Sequence, residues 1–145
     1  MGPIPSEIAA LGNLDILVLE KNKLTGTLPD TFNAGLNRLR LNLNFLSGTV
    51  PSTLSNRLIS LDLSGNKFIG TLDDLIDSVP RIKQLELGDN LFTGTIPASL
   101  ADLSSISKCI PPLVKKAVIS SFYSRCCHST DRTHFYACCF VLILQ

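Results

Sequence analysis

The residues best suited to chemistry lie near the end of the chain, where cysteine and histidine are concentrated. Thiolates and imidazoles are the ligands that zinc prefers in proteins, commonly with about two to four residues between paired cysteines. The cysteines here are directly adjacent, so a zinc site, a disulfide or reactive thiols, and lipidation of Cys138 or Cys139 all remain open interpretations. The spacing is too weak to predict a bound metal or a cofactor. The candidate ligands are Cys126, Cys127, His128, His134, Cys138 and Cys139.

Catalysis has little support in the rest of the chain. Both histidines, His128 and His134, follow residue 108, so residues 1–108 lack the Ser/His/Asp and Cys/His combinations of nucleophilic catalysis. Phosphate-binding loops and protein-kinase motifs are also absent from the sequence. We therefore predict that the protein is not an enzyme.

Four copies of one pattern precede the cysteines, and they must position any binding residues. Each copy contains an asparagine, a glycine four residues later, and apolar residues three, five and eight positions before the asparagine. Successive asparagines are 22, 22 and 24 residues apart, and a fixed period in this range indicates a solenoid. The asparagines are Asn22, Asn44, Asn66 and Asn90, and the apolar residues are Leu14, Leu17, Leu19, Leu36, Leu39, Leu41, Leu58, Leu61, Leu63, Ile82, Leu85 and Leu87.

The spacing within each copy has a direct physical meaning. Leucines two residues apart, such as Leu61 and Leu63, point to one face of a short strand and form a core there. The asparagine that follows can pair its amide with backbone groups that a turn leaves unpaired, so we predict a structural ladder of the four asparagines. Loss of Asn66 is expected to cost about 1–3 kcal/mol. The glycine suits a left-handed turn.

The copies end in G-x-[I/L/V]-P, except that Asp73 replaces the proline of the third copy. The whole pattern resembles the plant-type leucine-rich repeat over residues 2–106. The resemblance implies an α/β repeat solenoid of about four full turns, with a short parallel concave sheet and partial repeats at both ends. We place the solenoid in residues 1–108 and a cysteine-rich tail in residues 109–145.

The resemblance also implies a role and a location. Proteins with such repeats include ectodomains of receptor-like kinases and secreted inhibitor proteins, so an extracellular or cell-surface location is expected. The N-terminus shows no signal peptide, and the longest apolar run, Phe135–Leu144, is too short for a membrane-spanning helix. Residues 1–108 contain nine Lys and Arg against eleven Asp and Glu, so no basic surplus favours nucleic acid.

Binding is expected on the concave face of the sheet, through a protein or peptide ligand. Residues at equal offsets in successive copies form columns on this face. Arg38 and Arg40 form a basic spot, which is followed along the array by Asp62, Glu86 and Asp89; a peptide with one acidic and one basic end suits this order. The predicted ligand-binding residues are Ile16, Val18, Glu20, Arg38, Arg40, Asn42, Ser60, Asp62, Gln84 and Glu86.

Two alternatives remain open at this point. The concave positions can be solvated residues that pair across strands, for example Arg40 with Asp62, with no ligand. The chain can also be a truncated fragment without independent function that associates with itself through uncapped apolar ends. The tail of residues 109–145 can be disordered, a misjoined segment, or a makeshift cap in which a helix covers the last layer through Leu113, Val114, Ala117, Val118 and Phe122.

Overall fold

The computed structural model describes residues 2–9, 11–30, 32, 35–95, 97, 99–100 and 108–110 of the 145-residue chain. Two parallel sheets and two short helices make up this part. The first sheet contains β1 (Ile16–Val18), β3 (Arg38–Arg40), β5 (Ser60–Asp62), β7 (Gln84–Glu86) and β9 (Lys108–Ile110). The second sheet contains β2 (Thr25–Gly26), β4 (Phe45–Thr49), β6 (Lys67–Gly70) and β8 (Leu91–Phe92). The helices are α1 (Ser6–Ala9) and α2 (Asp73–Ser78).

The first sheet is built from equivalent residues of successive copies. Its strands are parallel in the order β1-β3-β5-β7-β9, and Leu17 pairs in register with Leu39, which pairs with Leu61 and then Leu85. The chain completes three full turns between β1 and β7. The predicted leucine-rich solenoid with a parallel sheet is therefore confirmed. The strand β9 spans the predicted boundary at residue 108, since Cys109 pairs in register with Leu85.

The second sheet follows each asparagine and runs in the order β2-β4-β6-β8. Its strands begin at a turn in which the residue before the asparagine has a positive φ, for example 57° at Leu43. The glycine four residues after the asparagine also has a positive φ, 82° at Gly48, as its spacing predicts, but Gly48 lies within β4 and not in a turn. Every turn of the solenoid thus makes a strand in the first sheet, a sharp bend, and a strand in the second sheet.

The core lies between the two sheets and is made of the repeated apolar residues. Leu61 and Leu63 have no exposed surface, and the rings of Phe68 and Phe92 stack at 6.5 Å between centroids. Burial of a leucine or phenylalanine side chain stabilises the fold by about 1.5–3 kcal/mol. The leucines of the described part with no exposed surface are Leu36, Leu39, Leu41, Leu46, Leu58, Leu61 and Leu63.

The connections on the side opposite the first sheet depend on repeat length. The 24-residue spacing between Asn66 and Asn90 leaves room for α2, which buries Leu75 and Ile76. Between β4 and β5, where the spacing is 22 residues, the chain runs through turns at residues 52–53 and 56–57 instead. Two additional residues therefore decide whether a helical turn forms.

The predictions for the tail fall outside the described residues. These are the cysteine and histidine ligands of residues 126–139, the lipidation site and the covering helix of residues 113–122. Within the described part, no group of His, Cys, Asp and Glu side chains is arranged to hold a metal ion.

Candidate ligand-binding face

The outward side of the first sheet carries the residues that the sequence predicts for ligand binding. Alternation along β1 buries Leu17 and exposes its two neighbours, Ile16 at 48% and Val18 at 49%. In β3 the same alternation buries Leu39 and exposes Arg38 and Arg40.

The other predicted residues differ in accessibility. Gln84 is exposed, whereas Asp62 and Glu86 are partly buried. Glu20 and Asn42 follow β1 and β3 and are partly buried as well.

Ser60 is less accessible than its position in the column implies. It lies on the same side of the sheet as Arg38 and Gln84, its register partners, but it is only 6% exposed. Its hydroxyl donates to Oε1 of Gln84 at 3.3 Å. A serine side chain is short, so the longer side chains of the flanking strands cover it. Ser60 therefore holds Gln84 in place at the floor of the face.

Arg38 and Arg40 form no ion pair with Asp62 on the neighbouring strand. Arg40 and Asp62 are nevertheless register partners on adjacent strands. The Asp62 carboxylate instead accepts hydrogen bonds from the hydroxyl and the backbone N–H of Ser64, at 2.6 and 3.1 Å. Neither Arg38 nor Arg40 forms a side-chain hydrogen bond or ion pair with another described residue. Two guanidinium groups are therefore available to a ligand.

The outward side chains of this face change from apolar to basic to acidic along the solenoid axis. The first layer offers the apolar Ile16 and Val18, and the second offers Arg38 and Arg40. Asp62 follows in the third layer, and Glu86 in the fourth. Because adjacent strands are about 4.8 Å apart, the four layers extend over roughly 14 Å, the length of a short peptide.

The asparagines hold the strands of this face in position. Asn66 accepts a hydrogen bond from the N–H of Leu46 in the preceding layer at 3.0 Å. Its amide nitrogen donates to Leu41 of that layer and to Leu63 of its own, both at 3.0 Å. Asn44 and Asn90 make the same pattern of bonds. Each of the three thus joins two layers directly behind the outward residues.

Asn22 differs from the other three asparagines. Its amide donates only to Leu19 and Glu20 of its own layer, both at 3.1 Å, and the side chain is exposed. Asn42 differs from its neighbours on the face, because its Oδ1 is buried and has no hydrogen-bond partner among the described residues.

A fifth strand, β9, extends the first sheet beyond the four strands that the sequence predicts. The register places Lys108 beside Gln84 and Ile110 beside Glu86. The signal was the spacing of 24 residues that separates Leu85 from Cys109, as it separates Asn66 from Asn90. It was obscured because cysteine stands where the earlier copies have leucine.

Comparison with known proteins agrees with this architecture. The Leucine Rich Repeat family matches residues 13–34, 57–79 and 81–103. No curated protein sequence matches the chain significantly. The fold is therefore that of a leucine-rich repeat solenoid.

Several solved structures share the fold. The ectodomain of the receptor kinase SOBIR1 from Arabidopsis thaliana is 28% identical, with a TM-score of 0.69 over 79% of this chain and 64% of that one. The plant peptide hormone receptor RGFR1, solved in complex with RGF2, is 31% identical, with a TM-score of 0.72 over 80% of this chain and 19% of that one. A chain of the BIR3–SERK2 complex from Arabidopsis thaliana is 31% identical, with a TM-score of 0.59 over 66% of this chain and 54% of that one.

The repeats of this chain are therefore leucine-rich repeats of the plant type, and the solved structures that share the fold include ectodomains of plant receptor kinases. The chain spans less than two thirds of the length of each of these relatives. None of the helices in the described part of the chain combines the length and apolar character needed to cross a bilayer.

Proposed function

We propose that the protein recognises a peptide or protein segment through the outward face of its first sheet and catalyses no reaction. The observation that carries this proposal is that Arg38 and Arg40 have no side-chain partner among the described residues and lie beside two half-exposed apolar residues, Ile16 and Val18. Surface arginines and apolar side chains without internal partners are the groups that stabilise interfaces. The relatives support the proposal, since RGFR1 is a peptide hormone receptor and BIR3 forms a complex with SERK2.

The order of chemistry along the face defines the ligand. A peptide that runs along the solenoid axis meets apolar residues first, then the two guanidinium groups, then Asp62 and Glu86. The complementary ligand is therefore apolar, acidic and basic in that order. Charge complementarity of this kind sets orientation and specificity.

The test uses two labelled synthetic peptides of equal composition. The first peptide has its blocks in the order apolar, acidic, basic. The second has the apolar block in the middle, so it does not match the face whether it binds in one direction or the other. Fluorescence anisotropy with the full chain is expected to show tighter binding of the first peptide. Arg40→Glu is expected to weaken that binding about tenfold or more, because it places like charges in contact.

The matched control is Arg57→Glu, which reverses an exposed charge in the turn at residues 56–57, outside the first sheet, and is expected to leave peptide affinity unchanged. Equal binding of the two peptides, or an Arg40→Glu variant that binds as well as the natural chain, would contradict the proposal.

A second candidate is self-association through the first described layer. Leu11 is 53% exposed, and in the described part of the chain β1 pairs only with β3. An open strand edge beside exposed apolar residues is a template for pairing with another chain. Light scattering of the full chain over a range of concentrations tests this. Association that Leu11→Asp removes while peptide binding persists would assign the two activities to different surfaces.

A further inference from the structure

The second sheet carries a surface that the proposed function does not use. Its outward positions hold three large apolar side chains, Phe45 at 46% exposure, Ile69 at 48% and Leu91 at 59%. Leu43, in the turn before β4, is 52% exposed. We call Leu43, Phe45, Lys67, Ile69 and Leu91 the flank surface. Exposed apolar residues that cluster in this way mark interaction sites more often than isolated ones do.

The flank surface is continuous across three layers. The Leu43 side chain leans onto the next layer, where its Cδ2 lies 2.8 Å from the position that a Cβ on Gly65 would take. The Lys67 ammonium lies 5.6 Å from the centre of the Phe45 ring. Ile69 is the register partner of Leu91. Phe45 thus adjoins Lys67, and Ile69 adjoins Leu91, across neighbouring layers, while Leu43 covers Gly65 two residues before Lys67.

Leu43 combines a left-handed backbone with an exposed apolar side chain. Its φ of 57° is a conformation that side chains other than glycine, asparagine and aspartate rarely adopt. Lys21, Gly65 and Asp89 have a positive φ at the equivalent positions of the other layers, so the conformation belongs to the repeat. Of these four residues, Leu43 alone has a large apolar side chain, and 52% of it is exposed.

Charge identifies the class of partner. Lys21 and Lys23 occupy the positions equivalent to Leu43 and Phe45 in the first layer, and they are exposed next to the flank surface. With Lys67 they give three positive charges, against one negative charge at Asp89. A partner that covers this surface favourably must therefore bring acidic groups together with apolar ones.

Two other occupants fit the charge less well. A second copy in a symmetric dimer would place the same lysines against each other. The end of this chain is also basic, because residues 111–145 contain Lys115, Lys116, Arg125 and Arg132 against Asp131. The charge pattern favours a segment of a different protein.

We propose that the flank surface binds an acidic amphipathic helix of a partner protein, independently of ligand recognition on the first sheet. The spacing supports a helix that lies along the solenoid axis. Successive layers are about 4.8 Å apart, and successive turns of an α-helix are about 5.4 Å apart. A helix with apolar residues at i, i+4 and i+7 thus presents one anchor to each layer, with glutamates at its sides facing the lysines.

The probes are two designed helical peptides that share leucines at i, i+4 and i+7 and differ only in glutamate or lysine on the polar positions. Anisotropy titrations with the full chain are expected to show the glutamate peptide binding at least about tenfold more tightly than the lysine peptide. Phe45→Asp is expected to weaken that binding about tenfold or more. The matched control, Ile16→Asp on the first sheet, replaces a residue of similar exposure and is expected to bind normally.

Both substituted residues are surface-exposed, so circular dichroism is expected to show the natural fold for each variant. Equal affinity of the two peptides would overturn the proposal, as would loss of binding in Ile16→Asp with retention in Phe45→Asp. Light scattering adds a further test: a dimer that Phe45→Asp dissociates would assign the flank surface to a second copy and overturn the proposal. If the first sheet fails to bind its peptide while the flank surface binds the glutamate helix, the proposed function is wrong and this proposal is supported, since the two surfaces use different residues.

Discussion

Asn66 shows how a single buried side chain maintains the binding face. Its carbonyl oxygen and amide nitrogen satisfy Leu46, Leu41 and Leu63, which belong to two successive layers, and only 8% of its surface is exposed. A buried backbone group that loses its partner costs more than a typical hydrogen bond gains. The asparagine is therefore required for stacking, although no ligand touches it.

We predict that Asn66→Ala lowers the free energy of unfolding by about 1–3 kcal/mol, because it leaves several backbone groups unpaired in the core. Asn22→Ala is the matched control and is expected to cost clearly less, since Asn22 is exposed and bonds only within its own layer. Urea unfolding monitored by circular dichroism measures both. Equal losses in the two variants would show that the bonds between layers contribute little.

At the scale of elements, the second sheet depends on a contact between glycine and threonine of adjacent layers. The Cγ2 of Thr27 lies 2.8 Å from the position that a Cβ on Gly48 would take. Thr49 is placed in the same way, 3.3 Å from the corresponding position on Gly70. Glycine is thus needed at these positions for two reasons, the positive φ and the close approach of the preceding layer.

Gly48→Ala is expected to destabilise the protein by about 1–2 kcal/mol from the left-handed backbone alone, with a further loss from contact with Thr27. Thr27→Ser removes the methyl group that lies in the way, so the double variant is expected to recover the second part of the loss. Gly12→Ala is the control, because a Cβ there would meet nothing within 4 Å. Thermal unfolding of the four proteins provides the comparison. A double variant that is no more stable than Gly48→Ala would refute the steric contribution.

The first sheet and its buried leucines were predictable from the sequence, whereas the second sheet was not. Leu61 and Leu63 show the two-residue alternation that identifies a strand, and Asn66 marks its end. In the segment after Asn66, by contrast, only Phe68 is buried between the exposed Lys67 and Ile69. Two adjacent apolar residues, Phe68 and Ile69, do not show the alternation that predicts a strand. This strand forms because it pairs with the strands of neighbouring layers.

The positions of the proposed binding face were predictable from the sequence, but the accessibility and the pairing of its side chains were not. Equal offsets from the asparagines identified Arg40 and Asp62 as neighbours, because parallel register follows from the repeat. The burial of Ser60 depends on the lengths of the side chains beside it. The Asp62 carboxylate forms no ion pair with Arg40 and accepts hydrogen bonds from Ser64 of its own layer instead. The burial of Ser60 and the missing ion pair both depend on side-chain conformation, which the repeat pattern of the sequence does not specify.

At the scale of the whole molecule, the solenoid separates two surfaces of different chemistry. The first sheet presents apolar, basic and acidic groups in sequence along the axis, and the second presents apolar residues beside lysines. Because each layer contacts only its neighbours, residues on either surface can change without repacking a common core. The architecture thus allows a ligand and a partner protein to be bound on different sides.

The most direct test of ligand recognition on the first sheet is a charge exchange between protein and peptide. Anisotropy titrations would compare the natural chain and Arg40→Glu, each with the complementary peptide and with a version in which lysines replace its acidic block. Arg40→Glu is expected to lose affinity for the complementary peptide. It is expected to bind the lysine version more tightly than it binds the complementary peptide, because opposite charges are then in contact again. Loss of binding to both peptides, or unchanged binding to the first, would contradict recognition at this face.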